Sequence, residues 1–266
     1  MPTPELKNWK YYIADPSKKP SLLFLMLHGC GGNADDIFKF IPLLRNVIKN
    51  ENFIAVAPDA FWQSCEKADG YQWFDIESNY AKKLFSSPYA TLTEAEKEKF
   101  ANMEKGEKGV VKASETLNCF LDFCQKKFGL KNEQTVIFGY SQGAMQALDM
   151  GISRSGKVKK VIGVAGCLIP PDKESFKKRH MVSPDVLLIH GTKDTVIDFH
   201  AAKQTEEILK QNGFNVTLCA QKGMGHGRGE ESRSFWLKTA WYTAKAMASK
   251  PTLSKINTFF AQRQRR

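Results

Sequence analysis

The chain has 266 residues, of which 42% are hydrophobic, 11% aromatic and 25% charged, a balance that excludes a disordered or collagen-like polypeptide. The length suits one large α/β domain with enough apolar material to bury about three quarters of the unfolded surface. Lys and Arg total 39 against 28 Asp and Glu, a net charge of +11, which favours anionic partners without selecting among them.

In chain order, Tyr11-Tyr12-Ile13 before the Asp15-Pro16-Ser17 turn predicts an antiparallel edge strand paired with the first buried strand. That buried strand is Leu22 to Leu27, and similar apolar runs recur at Phe53 to Ala57, Thr135 to Phe138, Val158 to Val164, Val186 to Ile189 and Val216 to Leu218. The runs are unbroken rather than alternating, the pattern of parallel strands buried on both faces. Helical stretches lie between them at Asp35 to Asn50, Val110 to Phe128, Gln142 to Arg154, Ala201 to Asn212 and Phe235 to Ala248. The alternation predicts an α/β fold: a mostly parallel central sheet with helices on both faces, right-handed crossovers, and sites at the carboxyl ends of the strands.

Residues 77–108 form an insertion longer than a usual connection. Within it Thr93-Glu94-Ala95-Glu96 matches a capping box, so a charged helix is expected to start there and run towards Met103. The insertion is a candidate lid, and a surface excursion with no part in catalysis is the equal alternative. The apolar run from Leu22 to Leu27 is too short to span a bilayer, and Met1-Pro2-Thr3-Pro4-Glu5 lacks the basic-then-apolar order of a secretory signal. A cytoplasmic location is the expectation. The six cysteines, Cys30, Cys65, Cys119, Cys124, Cys167 and Cys219, are dispersed and form no CxxC pair. They read as reduced thiols rather than a disulfide framework or zinc site.

Gly139-Tyr140-Ser141-Gln142-Gly143 stands between a predicted strand and a predicted helix, the context that a G-x-S-x-G nucleophile elbow requires. Such a turn strains the serine backbone, admits only small residues two positions away on either side, and aims the helix-start N–H groups beside the hydroxyl. A turn serine is the plainer alternative for the bare motif. A neutral hydroxyl needs a base, usually a histidine oriented by a carboxylate. Asp194, just past the strand Val186 to Ile189, is the best-placed acid, with Asp198 its nearest rival. His226, in the loop Gly223-Met224-Gly225-His226-Gly227, is the better base, because His200 opens a predicted helix and His28 precedes the serine. His28 and His190 read as structural, holding loops through hydrogen bonds. The glycine-rich turn Leu27-His28-Gly29-Cys30-Gly31-Gly32 offers backbone donors for an oxyanion, assigned to the N–H groups of Cys30 and Gln142. A reactive Cys30 thiol is the sharper but less favoured alternative.

These blocks, with Trp73-Phe74-Asp75-Ile76 and His190-Gly191-Thr192-Lys193-Asp194-Thr195-Val196, occur in an order that resembles the phospholipase/carboxylesterase family of α/β hydrolases, which includes the acyl-protein thioesterases. The resemblance runs from about Leu22 to about Ala244. It implies a Ser-His-Asp esterase of the α/β-hydrolase fold acting on carboxylic esters, lysophospholipids or acyl thioesters, without metal or cofactor. It supports Ser141, Asp194 and His226 as the triad, Cys30 and Gln142 at the oxyanion hole, and Trp73 and Phe74 beside the substrate pocket. From their chemistry alone, two adjacent aromatics are more often core. The insertion is longer than in the compact thioesterases. The His-Gly-Cys-Gly-Gly wording is also similar to feruloyl esterases and polyhydroxybutyrate depolymerases, which are typically secreted.

A catalytic domain over 1–244 thus leaves 245–266 as a basic tail. Six of the net positive charges fall in that tail, which contains no acid. Leu253, Ile256 and Phe260 share a helix face after Pro251, the pattern of a segment able to contact anionic membrane through 251–266. A frayed, solvated tail is the plainer alternative, and an idle hydrolase fold binding a membrane or partner is the competing function. No zinc-finger spacing or RNA-recognition signature supports nucleic-acid binding. The substrate expected is a small-molecule or lipid ester.

Overall fold

A six-residue run with no polar break offers no face to water, so it must be covered on both sides. The computed structural model describes residues 8–48, 52–64, 67, 69–75, 93–98, 109–169 and 182–247, and in it these runs are the central strands. A seven-stranded sheet is ordered β1 (Trp9–Ile13), β3 (Phe53–Pro58), β2 (Leu22–Leu27), β6 (Thr135–Tyr140), β7 (Lys160–Val164), β8 (Val186–Gly191), β9 (Val216–Gln221). Every pairing is parallel except that of β1. A small hairpin, β4 (Trp62–Gln63) and β5 (Tyr71–Gln72), stands apart from the sheet.

The sheet's two faces carry the two sides of each strand. Leu23, Leu25 and Leu27 pack with α3 (Val110–Phe128), α4 (Gln142–Ser153) and α5 (Phe199–Gln211). Leu22, Phe24 and Met26 pack with α1 (Ala34–Phe38), α2 (Ile41–Val47) and α6 (Ser232–Met247). Each leucine so buried contributes about 1.5–3 kcal/mol relative to exposure. The result is an α/β hydrolase fold.

Two expectations are corrected. The edge strand β1 pairs with β3, Ile13 opposite Ile54, and not with the first buried strand. Both rails of β2 are occupied, by β3 and β6, and β1 takes the outer rail of β3 at that end of the sheet. The single helix expected from Asp35 to Asn50 is two short helices, with Lys39 and Phe40 between them. Pro42 lies in the first turn of α2, where its missing N–H costs nothing; inside a continuous helix it would break a hydrogen bond. Asn33 caps α1 by accepting the Asp36 N–H at 3.1 Å.

The capping box is present: Thr93 N–H donates to Glu96 Oε2 at 2.8 Å, Glu96 N–H to Thr93 Oγ1 at 3.3 Å, and residues 94–98 are helical. The rest of the insertion, including the expected run to Met103, lies outside the described residues, as does the segment 248–266. No helix among the described residues is long and apolar enough to cross a membrane.

Candidate active site

Strand β6 delivers the chain to Ser141 at the sheet's carboxyl edge and α4 carries it away. Ser141 has φ 55° and ψ −120°, a conformation rarely adopted outside glycine. Neighbouring glycines make the reversal fit. A Cβ on Gly139 would lie 2.0 Å from Gly143 O, and one on Gly143 would lie 2.3 Å from Leu27 O. The Ser141 N–H donates to Val164 O at 2.8 Å, and Ser141 O accepts the first helical bond, from Ala144 N–H at 2.9 Å. With its backbone fixed at both ends, the side chain is aimed rather than free.

His226 Nε2 lies 2.9 Å from Ser141 Oγ, and His226 Nδ1 lies 2.7 Å from Asp194 Oδ2. An ionised Asp194 only accepts, so Nδ1 carries the ring proton and Nε2 presents its lone pair to the serine. Burial opposes ionisation of Asp194, but its contacts with the ring N–H groups of His190 and His226 hold its carboxyl below the usual carboxylate range. Its second oxygen accepts Val196 N–H at 2.8 Å and Ile197 N–H at 3.0 Å. All three side chains are buried, with Ser141 and His226 each 6% exposed.

The rivals lie elsewhere. Asp198 caps α5 by accepting His200 N–H at 2.7 Å, and both residues are exposed. His28 is buried and bridges loops: Nδ1 donates to Gly29 O at 2.8 Å while Nε2 accepts Ala60 N–H at 3.1 Å.

The turn after β2 packs directly on the serine, because a Cβ on Gly29 would stand 3.2 Å from Ser141 Cβ. Hairpin residue Tyr71 pins this turn, accepting Gly31 N–H at 2.9 Å and donating to Gly32 O at 2.8 Å. The Cys30 thiol faces Ser64 Oγ at 3.7 Å and Gln72 Oε1 at 3.8 Å. Trp73 and Phe74 have no exposed surface. Trp73 Nε1 donates to His28 O at 2.7 Å, and the Gln142 side chain accepts Trp73 N–H at 2.9 Å and donates to Phe74 O at 2.8 Å. The two aromatics thereby tie the turn after β2 to the first turn of α4.

Three contributors went unread in the sequence. His190 Nε2 donates to Ile197 O at 2.8 Å and sits 3.2 Å from Asp194 Oδ2, so a residue read as a loop holder also touches the acid. The i, i+4 spacing of His190 and Asp194 was the available signal. Tyr140 OH donates to His226 O at 2.8 Å and fixes the loop that carries the base. The Gln142 side chain acts as a clamp, a part separate from the backbone N–H that the sequence assigns to the oxyanion. Neither Tyr140 nor Gln142 carries a signal beyond its place in the G-x-S-x-G motif.

A serine at a strand-to-helix elbow, bonded through histidine to a buried carboxylate on a mostly parallel sheet, defines an α/β hydrolase. The Phospholipase/Carboxylesterase family description matches residues 9–235, and the chain belongs to that family. It is 25% identical over 247 residues to esterase YpfH of Escherichia coli strain K12, covering 90% of each chain. It is 27% identical over 230 residues to acyl-protein thioesterase 1 of Debaryomyces hansenii, covering 82% of this chain and 90% of that one. Among solved structures, esterase PE8 superposes with a TM-score of 0.66 at 26% identity, over 83% of this chain and 90% of that one. Arabidopsis thaliana SOBER1, at 20% identity and a TM-score of 0.61 over 82% of this chain and 98% of that one, shares the fold. The chain is a carboxylic ester hydrolase.

Proposed function

We propose that this hydrolase cleaves short to medium acyl esters, lysophospholipids or acyl thioesters through an acyl-enzyme on Ser141. His226 Nε2 takes the Ser141 proton as Oγ attacks the carbonyl carbon, and the carbonyl electron pair moves onto oxygen. The N–H groups of Cys30 and Gln142 receive that oxyanion. Collapse of the tetrahedral species breaks the ester C–O or thioester C–S bond, and His226 returns the proton to the departing alcohol or thiol. Water, deprotonated by His226, then releases the acid and restores Ser141. Asp194 keeps Nδ1 protonated throughout.

The observation that carries the reading is the position of His226, 2.9 Å from Ser141 Oγ and 2.7 Å from Asp194 Oδ2. Esterase and acyl-protein thioesterase relatives support the ester or thioester choice. Turnover is measured on nitrophenyl esters from acetate to palmitate, on a lysophospholipid and on an acyl thioester. The expected result is hydrolysis that falls by about a thousandfold or more in Ser141→Ala. Equal turnover by that variant refutes the assignment.

A further inference from the structure

Against the turn after β2 lies a cleft of about 610 Å³, lined in part by Gly29, Cys30 and Tyr140. Its wall is built on the loops that carry the nucleophile and the base: Tyr140 precedes Ser141, and Arg228 follows His226 by two residues. The floor is aromatic, with Trp236 between Phe40 and Tyr140 at ring-centroid distances of 5.3 and 5.0 Å.

The rim differs in charge. Lys39, Lys67, Arg228 and Arg233 line the cleft, against Asp36 as the one carboxylate among the described lining residues. Lys39 is paired with Asp36 at 2.7 Å and Lys67 with Asp69 at 3.5 Å. Arg228 and Arg233 have no carboxylate partner among the described residues. A guanidinium presents a planar fork of donors that matches a carboxylate or phosphate, and a cleft with apolar walls focuses such a field on whatever enters it. A neutral acyl chain gains nothing from the two arginines.

We propose that this cleft selects esters bearing a second, anionic group, a carboxylate or phosphate, with the apolar part of that arm on Phe40 and Trp236 and the anion at Arg228 and Arg233. The inference rests on the reading of Ser141 as nucleophile and names the substrate class for it.

Two matched pairs test it by kcat/KM: mono(4-nitrophenyl) adipate against 4-nitrophenyl hexanoate, and a lysophosphatidic acid against the monoacylglycerol of the same chain. The expected result is a preference of about tenfold or more for the anionic member of at least one pair. The soluble pair identifies a carboxylate ester and the lipid pair a lipid phosphate. The preference is expected to shrink when salt is raised to about 0.5 M, and to fall to about one in the double variant Arg228→Gln, Arg233→Gln. Equal kcat/KM within both pairs, or a preference unchanged in the double variant, overturns the inference while leaving the esterase reading intact. A wild-type protein that cleaves none of the four compounds but turns over the wider nitrophenyl ester or thioester series also overturns the inference alone; failure on every substrate overturns the esterase reading, and the inference with it.

Discussion

Asp194 receives N–H groups from His226, Val196 and Ile197, has His190 Nε2 at 3.2 Å, and is buried. A carboxylate so surrounded is stable inside the protein only as the anion. His28 is the opposite case: desolvation lowers its pKa, although the bond to Gly29 O favours the proton, and the ring stays neutral with Nε2 free to accept Ala60 N–H. The two groups give stability two acid-sensitive windows. An unfolded histidine takes a proton near pH 6.5 while the folded His28 resists it, so stability falls as pH drops below about 6.5. An unfolded aspartate takes a proton near pH 3.9 while Asp194 does not, so its contribution is complete above about 3.9 and is lost as pH falls further. Thermal denaturation from pH 8 to pH 3 reads both. His28→Gln is expected to flatten the upper window and Asp194→Asn the lower one, and profiles parallel to wild type would remove these residues as the cause.

The elbow depends on two elements meeting through residues without side chains. Gly143→Ala would drive a methyl to 2.3 Å from Leu27 O and 2.4 Å from His28 O, pushing α4 away from β2 and displacing the turn that faces the serine. The same change at Gly163 in β7 meets Leu188 Cδ2 at 3.4 Å, an ordinary contact. Urea denaturation is expected to show a loss of about 3 kcal/mol or more for Gly143→Ala and less than about 1 kcal/mol for Gly163→Ala. Similar losses for both would mean that the close approach is relieved by movement elsewhere. At this scale the sequence was clearest where one force dominated. Unbroken apolar runs located the parallel strands, and α3 was expected at Val110 to Phe128, where it is found. The break between α1 and α2 escaped because the apolar periodicity continues across Pro42, and the position of β1 escaped because pairing partners depend on which rails the later strands occupy.

Over the whole molecule, the legible part of the site is the part that the topology forces to one place. Ser141, Asp194 and His226 each follow a strand, so reading the strands located all three at one sheet edge. The clamp made by Gln142 on Trp73 and Phe74, and the cleft built from residues near 30, 40, 67, 140 and 230, were not legible, because distant segments meet there only once the sheet has formed. Net charge was similarly indirect: part of the excess lies in residues 245–266, yet Arg228 and Arg233 line the cleft and lie outside that tail. The central claim is that one serine among many is activated by His226 and Asp194. It is tested most directly by treating the native protein with a fluorophosphonate and mapping the adduct by mass spectrometry. The account predicts one adduct per chain, on the peptide that contains Ser141, and none in Ser141→Ala; an adduct on another residue, or undiminished labelling of that variant, would contradict it.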